Sequence, residues 1–241
     1  RRQRQMCIRD RDVGVGEGMN HTRGQTPGMI DPQSVVRSDD QLAELYRAPS
    51  QLVASKKTAL LDDASRGIVD RSPFVLVGTD GADGGLDVSP RGGPPGFVRV
   101  LDERHLAIPD LNGNNLIDSL RAVVASGRAA LLVVIPGKDE TLRVNGAAWV
   151  TTDANVLDLW AGELRRPTTA IVIRTEEVFM HCAKAFRRGR VWDPSSWDEL
   201  ADAPDGIDIL NAQGLVATND AATRDFLEQS YADDLARDAP D

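Results

Sequence analysis

The 241-residue chain is poor in the residues that build disulfide frameworks and zinc sites. It contains only two cysteines and three histidines. No CxxC or HxxxH spacing occurs among them, and no carboxylates flank them at metal-ligand spacing. We therefore expect neither a disulfide scaffold nor a bound metal ion.

The chain also lacks an excess of positive charge and any long apolar run. Its 28 Lys and Arg residues stand against 37 Asp and Glu residues, which gives a net charge of −9. Such a charge argues against nucleic acid or an anionic membrane surface as the main partner. No run of eighteen apolar residues and no signal-peptide core is present. We expect a cytoplasmic protein with neither nucleic acid nor membrane as a partner.

Composition divides the chain into four segments. Residues 1–28 are polar, glycine-rich and without hydrophobic periodicity, which is typical of disorder. We interpret them as a tag, a scar or an upstream translated region, because Met29 stands directly before a plausible start. We expect a helical segment over residues 29–72, a barrel domain over 73–195 and an acidic helical extension over 196–241.

Short strands and hairpin-length turns dominate the barrel segment. The apolar runs at 74–79 (FVLVGT) and 129–135 (AALLVVI) predict buried strands, and residues 140–151 alternate between two faces. Strands and helices do not alternate regularly, which disfavours a doubly wound sheet. We predict a mainly β fold of the α+β class: a small, mostly antiparallel β-barrel with helices packed on its openings.

Capping residues predict helices on both sides of the barrel. Ser38 or Asp39 caps one that runs through Tyr46 or Arg47 and ends near Pro49. Ser50 caps a second that carries Leu60 and Leu61. In the acidic extension we expect one helix over residues 221–236.

Residues 104–127 (RHLAIPDLNGNNLIDSLRAVVASG) combine a strand, a Gly/Asn loop and an amphipathic helix. Asn115 is the expected N-cap of this helix, and Gly127 stands where a C-terminal glycine belongs. Unsatisfied N–H groups at a helix start bind anions, most often phosphate. This stretch therefore predicts a ligand that carries a phosphate.

A second anion-binding motif, SPRGG, occupies residues 89–93. We expect it to interrupt a strand that begins at Leu86 and ends at Ser89. Glycines allow close backbone approach, and Arg91 can contact a phosphate through two N–H groups. The alternative is a solvated turn, but the Asn114/Asn115 helix start is a second motif of the same chemistry and favours phosphate binding.

The segment HCAKAFRRGRVW, residues 181–192, is a positive patch in an acidic protein. Trp192 offers a flat surface on which a planar ligand can stack. The alternative is a basic surface loop that the tryptophan anchors to the barrel. His181 and Cys182 are expected to be a structural pair; a Cys–His hydrolase would require His105 to reach Cys182, with Asp110 orienting the imidazole.

Three ordered motifs together carry a resemblance to a known family: DVSPRGGPPGFVRVLDERHLAIPDLNGNNLIDSL, IPGKDETLRVNGAAWV and VFMHCAKAFRRGRVWDP. They resemble the pyridoxamine 5′-phosphate oxidase-related proteins, in particular the subgroup of FMN-dependent enzymes of unknown substrate. The resemblance covers about residues 40–200. It implies a split β-barrel that forms a homodimer, with FMN bound in clefts between the subunits.

The resemblance also implies a set of cofactor-binding residues. Ser89, Arg91 and Gly92 would lie at the cofactor-facing strand end, and Asn114, Asn115 and Ser119 near the phosphate. Lys184, Arg188 and Trp192 would complete the pocket, from the partner subunit in one arrangement. Arg143 or Lys184 would stabilise charge near the N1–C2 edge of the flavin as it is reduced. No catalytic residue is identified, because a flavin itself carries the redox chemistry.

The function that follows is an FMN-dependent oxidoreductase acting on an unknown small molecule, with NAD(P)H, oxygen or an organic compound as the redox partner. Two alternatives stay open: a flavin-binding or sensory protein without turnover, and a deazaflavin-dependent reductase. Vitamin B6 oxidation is not expected, because the substrate-phosphate and C-terminal residues of the authentic oxidases have no match here.

Overall fold

A computed structural model describes residues 30–81 and 84–240, except for the side chain of Glu199. The predicted tail over 1–28 lies outside this part of the chain. The strands are β1 (Phe74–Asp80), β2 (Leu86–Gly92), β3 (Arg99–Val100), β4 (His105–Pro109), β5 (Arg128–Val134), β6 (Thr141–Thr151) and β7 (Ala170–His181). The helices are α1 (Asp39–Leu45), α2 (Gln51–Ser55), α3 (Asp63–Val69), α4 (Asp118–Ser126), α5 (Ala154–Leu157), α6 (Lys184–Arg188), α7 (Gly206–Ala212) and α8 (Ala221–Ala236).

The strands of the described residues form one antiparallel sheet in the order β2-β1-β5-β6-β7-β4-β3. The two end strands, β2 and β3, are not hydrogen-bonded to each other, so the barrel is split. Helices flank this sheet, and the predicted α+β split barrel is confirmed.

One face of each long strand supplies the core. On β1 the buried side chains are Val75, Val77 and Thr79, and on β6 they include Leu142 and Val144, as the two-residue period of a strand requires. Trp160, which is 0% exposed, packs among them. Its indole N–H donates to the carbonyl oxygen of Phe97 at 2.7 Å, so its burial leaves no polar atom unsatisfied.

The N-terminal helices agree only in part with the prediction. Ser38 caps α1 by accepting a hydrogen bond from the Gln41 N–H, as expected. The second helix was predicted wrongly: it ends at Ser55, because Thr58 forms a β-bridge with Val178 of β7 and draws the chain into an extended form. Asp62 then caps α3, which lies within the predicted helical segment but was not predicted as a helix of its own.

Strand β2 also differs from the prediction, because SPRGG does not interrupt it. The strand continues through Pro90 and Arg91 to Gly92. Proline is tolerated here since β2 is an edge strand, where a missing N–H need not break a ladder hydrogen bond. The strand therefore presents Asp87, Ser89 and Arg91 on one side and its exposed apolar residues on the other.

The C-terminal extension contains α8 at the predicted position and returns to the barrel. Asp238 connects the extension to the barrel through two hydrogen bonds of 2.9 Å. The Asn112 N–H donates to the Asp238 carboxylate, and the Arg165 N–H donates to the Asp238 backbone carbonyl. In the described residues, no helix combines the length and the apolar character needed to cross a membrane.

Candidate functional site

A cleft of about 160 Å³ lies between β2, the loop that follows β4, and the first turn of α4. Half of the predicted cofactor-binding residues line it: Ser89, Arg91, Asn114, Asn115 and Ser119. The two anion-binding motifs, more than twenty residues apart in sequence, thus meet at one place. The alternating pattern of β2 explains the meeting, because Ser89 and Arg91 share the face that points toward α4.

The start of α4 differs from the prediction. Asn115 is not the N-cap: it adopts a left-handed conformation with φ 59°, and the helix begins three residues later at Asp118. The N-cap is Ile117, also left-handed, and it offers no side-chain hydrogen bond. Left-handed backbone costs a β-branched residue on the order of 1–3 kcal/mol, and such strain clusters at functional sites.

The uncapped first turn leaves backbone N–H groups at the edge of the cleft. The side-chain oxygen of Asn114 accepts a hydrogen bond from the Leu116 N–H at 3.0 Å, so this side chain stabilises the loop itself. Ile117, Asp118 and Ser119 line the cleft directly. Open N–H groups and the positive end of a nine-residue helix favour an anion at this position.

Arg91 is the cation of the cleft, and Asp110 faces it. The closest nitrogen–oxygen distance between them is 3.7 Å, and each side chain is about one-quarter exposed (25% and 24%). This distance exceeds that of a hydrogen bond, so the Arg91 donors remain available to a ligand. Burial raises the pKa of Asp110, and the charge of Arg91 only partly opposes that rise.

The other acidic side chains of the cleft have partners as well. The Ser119 hydroxyl donates to the Asp87 carboxylate at 2.6 Å, which ties α4 to β2. Asp118 forms an ion pair with Arg121 at 3.5 Å. Asp87 and Asp118 are engaged by these partners, so the donors of Arg91 and of the open helix turn are the groups that fit an anionic ligand such as a phosphate monoester.

Two larger cavities lie on the outer face of β1, β2, β5 and β6, with volumes of about 660 Å³ and 380 Å³. They share the residues Gly78, Val88, Ala130 and Asn145, so they are neighbouring parts of one concave surface. Asp87 lines both the larger cavity and the cleft. The anion cleft therefore opens beside a space large enough for the rest of a cofactor-sized molecule.

Two further predicted residues lie at the edges of this region. Arg143 lines the 380 Å³ cavity. Gly92 lines a hollow of about 670 Å³ that adjoins the cleft, since Arg91 lines both, and whose wall includes Leu235 and Asp238 of the C-terminal extension. The extension, which sequence reasoning assigned no part in the site, thus forms one wall beside it.

Lys184, Arg188 and Trp192 are not among the residues that line the cleft or the two larger cavities. One face of the Trp192 ring is covered within its own chain. Its ring stacks on Phe186 with a centroid distance of 5.6 Å, and its N–H donates to the Lys138 carbonyl oxygen at 2.8 Å. These contacts fit the anchoring alternative, and stacking on a ligand bound by a second subunit stays a prediction.

The arrangement of a Cys–His hydrolase is ruled out. His105 pairs with Arg174 in the sheet, while Cys182 follows the far end of the same strand, β7. Eight residues of extended strand span about 25 Å. Asp110 is not the partner of the imidazole either, because Nδ1 of His105 bonds to Asp102 at 2.9 Å.

Sequence reasoning missed Asp87 as a residue of the cleft and named Asp110 only as a hydrolase acid. The alternation of DVSPR would have placed Asp87 on the same face as Arg91. No local signal indicates Asp110, because its position depends on the pairing of β4 with β7.

Comparison with solved structures finds proteins of low sequence identity that cover about half of this chain. HupZ from Group A Streptococcus is 15% identical, over 49% of this chain and 92% of its own, with a TM-score of 0.42. A protein related to general stress protein 26 from Clostridium acetobutylicum, of the pyridoxinephosphate oxidase family, is 16% identical over 49% and 85%, with a TM-score of 0.35. The FAD binding protein from Mycobacterium smegmatis is 13% identical over 52% and 97%, with a TM-score of 0.36.

The comparison with curated protein sequences returns no match. The family model for pyridoxamine 5′-phosphate oxidase matches residues 61–182. This span contains all seven described strands and every residue that lines the cleft. This match extends over just over half of the chain, and the protein therefore belongs to the pyridoxamine 5′-phosphate oxidase family.

Proposed function

We propose that the protein is an FMN-dependent oxidoreductase that acts on a small molecule and works as a cytoplasmic homodimer. The observation that carries the proposal is the cleft in which Arg91 and the uncapped start of α4 converge. A flavin is favoured over other phosphate compounds because the family match spans this cleft. The adjoining cavity of about 660 Å³ offers room for a ring system.

FMN, when bound, supplies the hydride or electron transfer. The residues of this chain would bind and orient it. Arg91, Ser89 and the N–H groups of α4 would hold the phosphate, while Ser119 keeps the Asp87 carboxylate occupied. Arg143 lines the 380 Å³ cavity, which shares Asn145 with the 660 Å³ cavity proposed for the flavin ring, and this position supports its proposed role beside the N1–C2 edge.

A second copy of the chain is the proposed cover for the outer side of β2. Leu86 is 84% exposed and Val88 is 67% exposed, and both lie on an edge strand of the sheet. Exposed apolar side chains on an edge strand favour association. In such a dimer, Lys184, Arg188 and Trp192 would approach the cofactor from the partner subunit, as the family resemblance implies.

The proposal is tested on the untreated purified protein. We expect absorbance bands of oxidised flavin near 370 and 450 nm, release of FMN as judged by mass spectrometry, and a dimer in sedimentation analysis. Anaerobic addition of NAD(P)H should bleach the flavin. A protein that takes up neither FMN nor a deazaflavin would refute the proposal.

Two outcomes would favour the other candidate functions. Bound flavin that no donor reduces would indicate a binding or sensory protein. A bound deazaflavin would indicate a deazaflavin-dependent reductase.

A further inference from the structure

Three cationic side chains meet on the ring of Phe179, a buried residue of β7. The ammonium nitrogens of Lys56 and Lys57 lie 5.2 and 5.3 Å from the ring centroid, and the guanidinium carbon of Arg143 lies 5.1 Å from it. Arg143 is directly opposite Phe179 in the pairing of β6 with β7. The bridge between the segment after α2 and β7 brings the two lysines to the same ring.

This group, the Phe179 cation cluster, contains more positive than negative charge. Glu177 pairs with Lys57 at 2.8 Å, and the hydrogen bond from Lys57 lowers the pKa of that carboxyl, which keeps it ionised. The Lys56 ammonium donates one hydrogen bond to the Met180 carbonyl oxygen at 3.0 Å, but within the described part of the chain neither Lys56 nor Arg143 forms a salt bridge. Three cations beside one carboxylate repel each other, and a further anion would relieve that repulsion.

The cluster adjoins an apolar space. Arg143 lines the 380 Å³ cavity, whose other walls include the apolar side chains of Leu76, Val88 and Leu132. A ligand that matches this surface needs an apolar body and an anionic group near Arg143, because an unpaired buried charge or a buried polar body would be unfavourable.

We propose that Lys56 and Arg143 bind the anionic group of a small substrate whose apolar body occupies the 380 Å³ cavity. The term substrate rests on the proposed function; the binding site itself rests on the cluster and the cavity. This anion site is distinct from the cleft around Arg91. The guanidinium of Arg143 has five N–H donors, so it can serve this anion and also the electrostatic role proposed above.

The probes are 4-fluorobenzoate, 4-fluorobenzamide and 4-fluorophenyl phosphate, titrated by ¹⁹F NMR into the full-length protein saturated with FMN. The benzamide has the shape of the benzoate without its charge. We expect at least one anion to bind ten-fold or more tightly than the amide, and comparison of the two anions distinguishes a carboxylate from a phosphate substrate. Lys56→Gln should weaken anion binding five-fold or more.

Two variants complete the test. Lys138→Gln removes the same charge from an exposed turn and should leave anion binding unchanged. Arg143→Lys keeps the charge but loses the planar pair of donors, and it should also weaken anion binding. Equal binding of the amide and the anions, or unchanged anion binding in Lys56→Gln, would overturn the anion site.

FMN binding, measured in the same samples, separates this inference from the proposed function. Anion binding without FMN binding would refute the flavin proposal and leave the anion site standing. FMN binding without binding of either anion would refute the anion site alone.

Discussion

Replacing Arg91 by alanine should weaken the binding of FMN but not that of riboflavin, which lacks the phosphate. Arg91 is the only cation among the residues that line the described cleft, and three-quarters of its side chain is removed from solvent. Charge-assisted hydrogen bonds in such a setting contribute about 1.5–3 kcal/mol. Because Arg91 also interacts with Asp110 at 3.7 Å, we expect its loss to weaken FMN binding by about 2 kcal/mol, or roughly 30-fold in Kd.

The assay is titration of the apoprotein with each flavin, followed by quenching of flavin fluorescence. Arg91→Ala alone leaves Asp110 half-buried beside the phosphate site without its cation. The double variant Arg91→Ala/Asp110→Asn removes that complication and should still bind FMN more weakly than the wild type. Arg174→Ala, which removes an exposed arginine of β7, is the matched control and should change neither affinity.

Two results would refute the reasoning. An equal loss of FMN and riboflavin affinity would mean that Arg91 supports the fold or the ring and not the phosphate. Unchanged affinity for FMN would place the phosphate elsewhere on the molecule.

Three further predictions concern Asp110, Trp160 and Asp238. Burial raises the Asp110 pKa above its ordinary 3.8, so between the two pKa values the folded form keeps a proton that the unfolded chain has lost, and stability falls as the pH rises. In thermal melts Asp110→Asn should therefore be more stable than the wild type at pH 7, and the difference should shrink toward about pH 4. A difference that stays constant with pH would contradict this. Trp160→Ala should lower the free energy of unfolding in urea by about 3–5 kcal/mol, against less than about 2 kcal/mol for the half-exposed Trp149→Ala, and similar losses would argue against Trp160 as a core residue. Asp238→Ala removes the carboxylate that accepts the Asn112 N–H. An exposed hydrogen bond contributes about 0.5–1 kcal/mol, so FMN release should become about two- to five-fold faster in stopped-flow displacement by excess riboflavin. An unchanged release rate would show that the extension does not support the loop.

Local patterns predicted the elements whose formation depends on local forces. The runs FVLVGT and AALLVVI form β1 and β5 because they are apolar and rich in β-branched residues, and α8 spans the predicted residues behind its cap Asp220. The prediction failed for the second helix, whose end depends on a contact with a distant part of the chain. The bridge between Thr58 and Val178 joins residues 120 positions apart, and no local signal could indicate that it ends the second helix.

In the candidate site, too, local sequence predicted some features and not others. The residue types of SPRGG and of the Asn114/Asn115 loop indicated anion binding, and the sheet brings them together. The N-cap prediction failed because the left-handed Asn115 and Ile117 shift the helix start into the chain, a conformation that sequence preference disfavours for isoleucine. The basic segment at 181–192 lies outside the cleft of its own chain, and its proposed role from a second subunit stays a prediction.

The seven residues of β2 carry two tasks on alternate positions: odd-numbered Asp87, Ser89 and Arg91 face the cleft, while even-numbered Leu86 and Val88 face outward. A one-residue insertion or deletion within the strand would exchange the two faces, burying apolar side chains in the cleft and turning the arginine outward. Two-residue changes would preserve the alternation. Relatives that keep both the anion cleft and the apolar outer side should therefore differ in the length of this strand only by even numbers of residues, while the loops at its ends vary freely. If the proposed dimer forms through the outer side of β2, a ligand that orders the cleft side of this strand should also order the contact surface. Cofactor binding and subunit association should then strengthen one another.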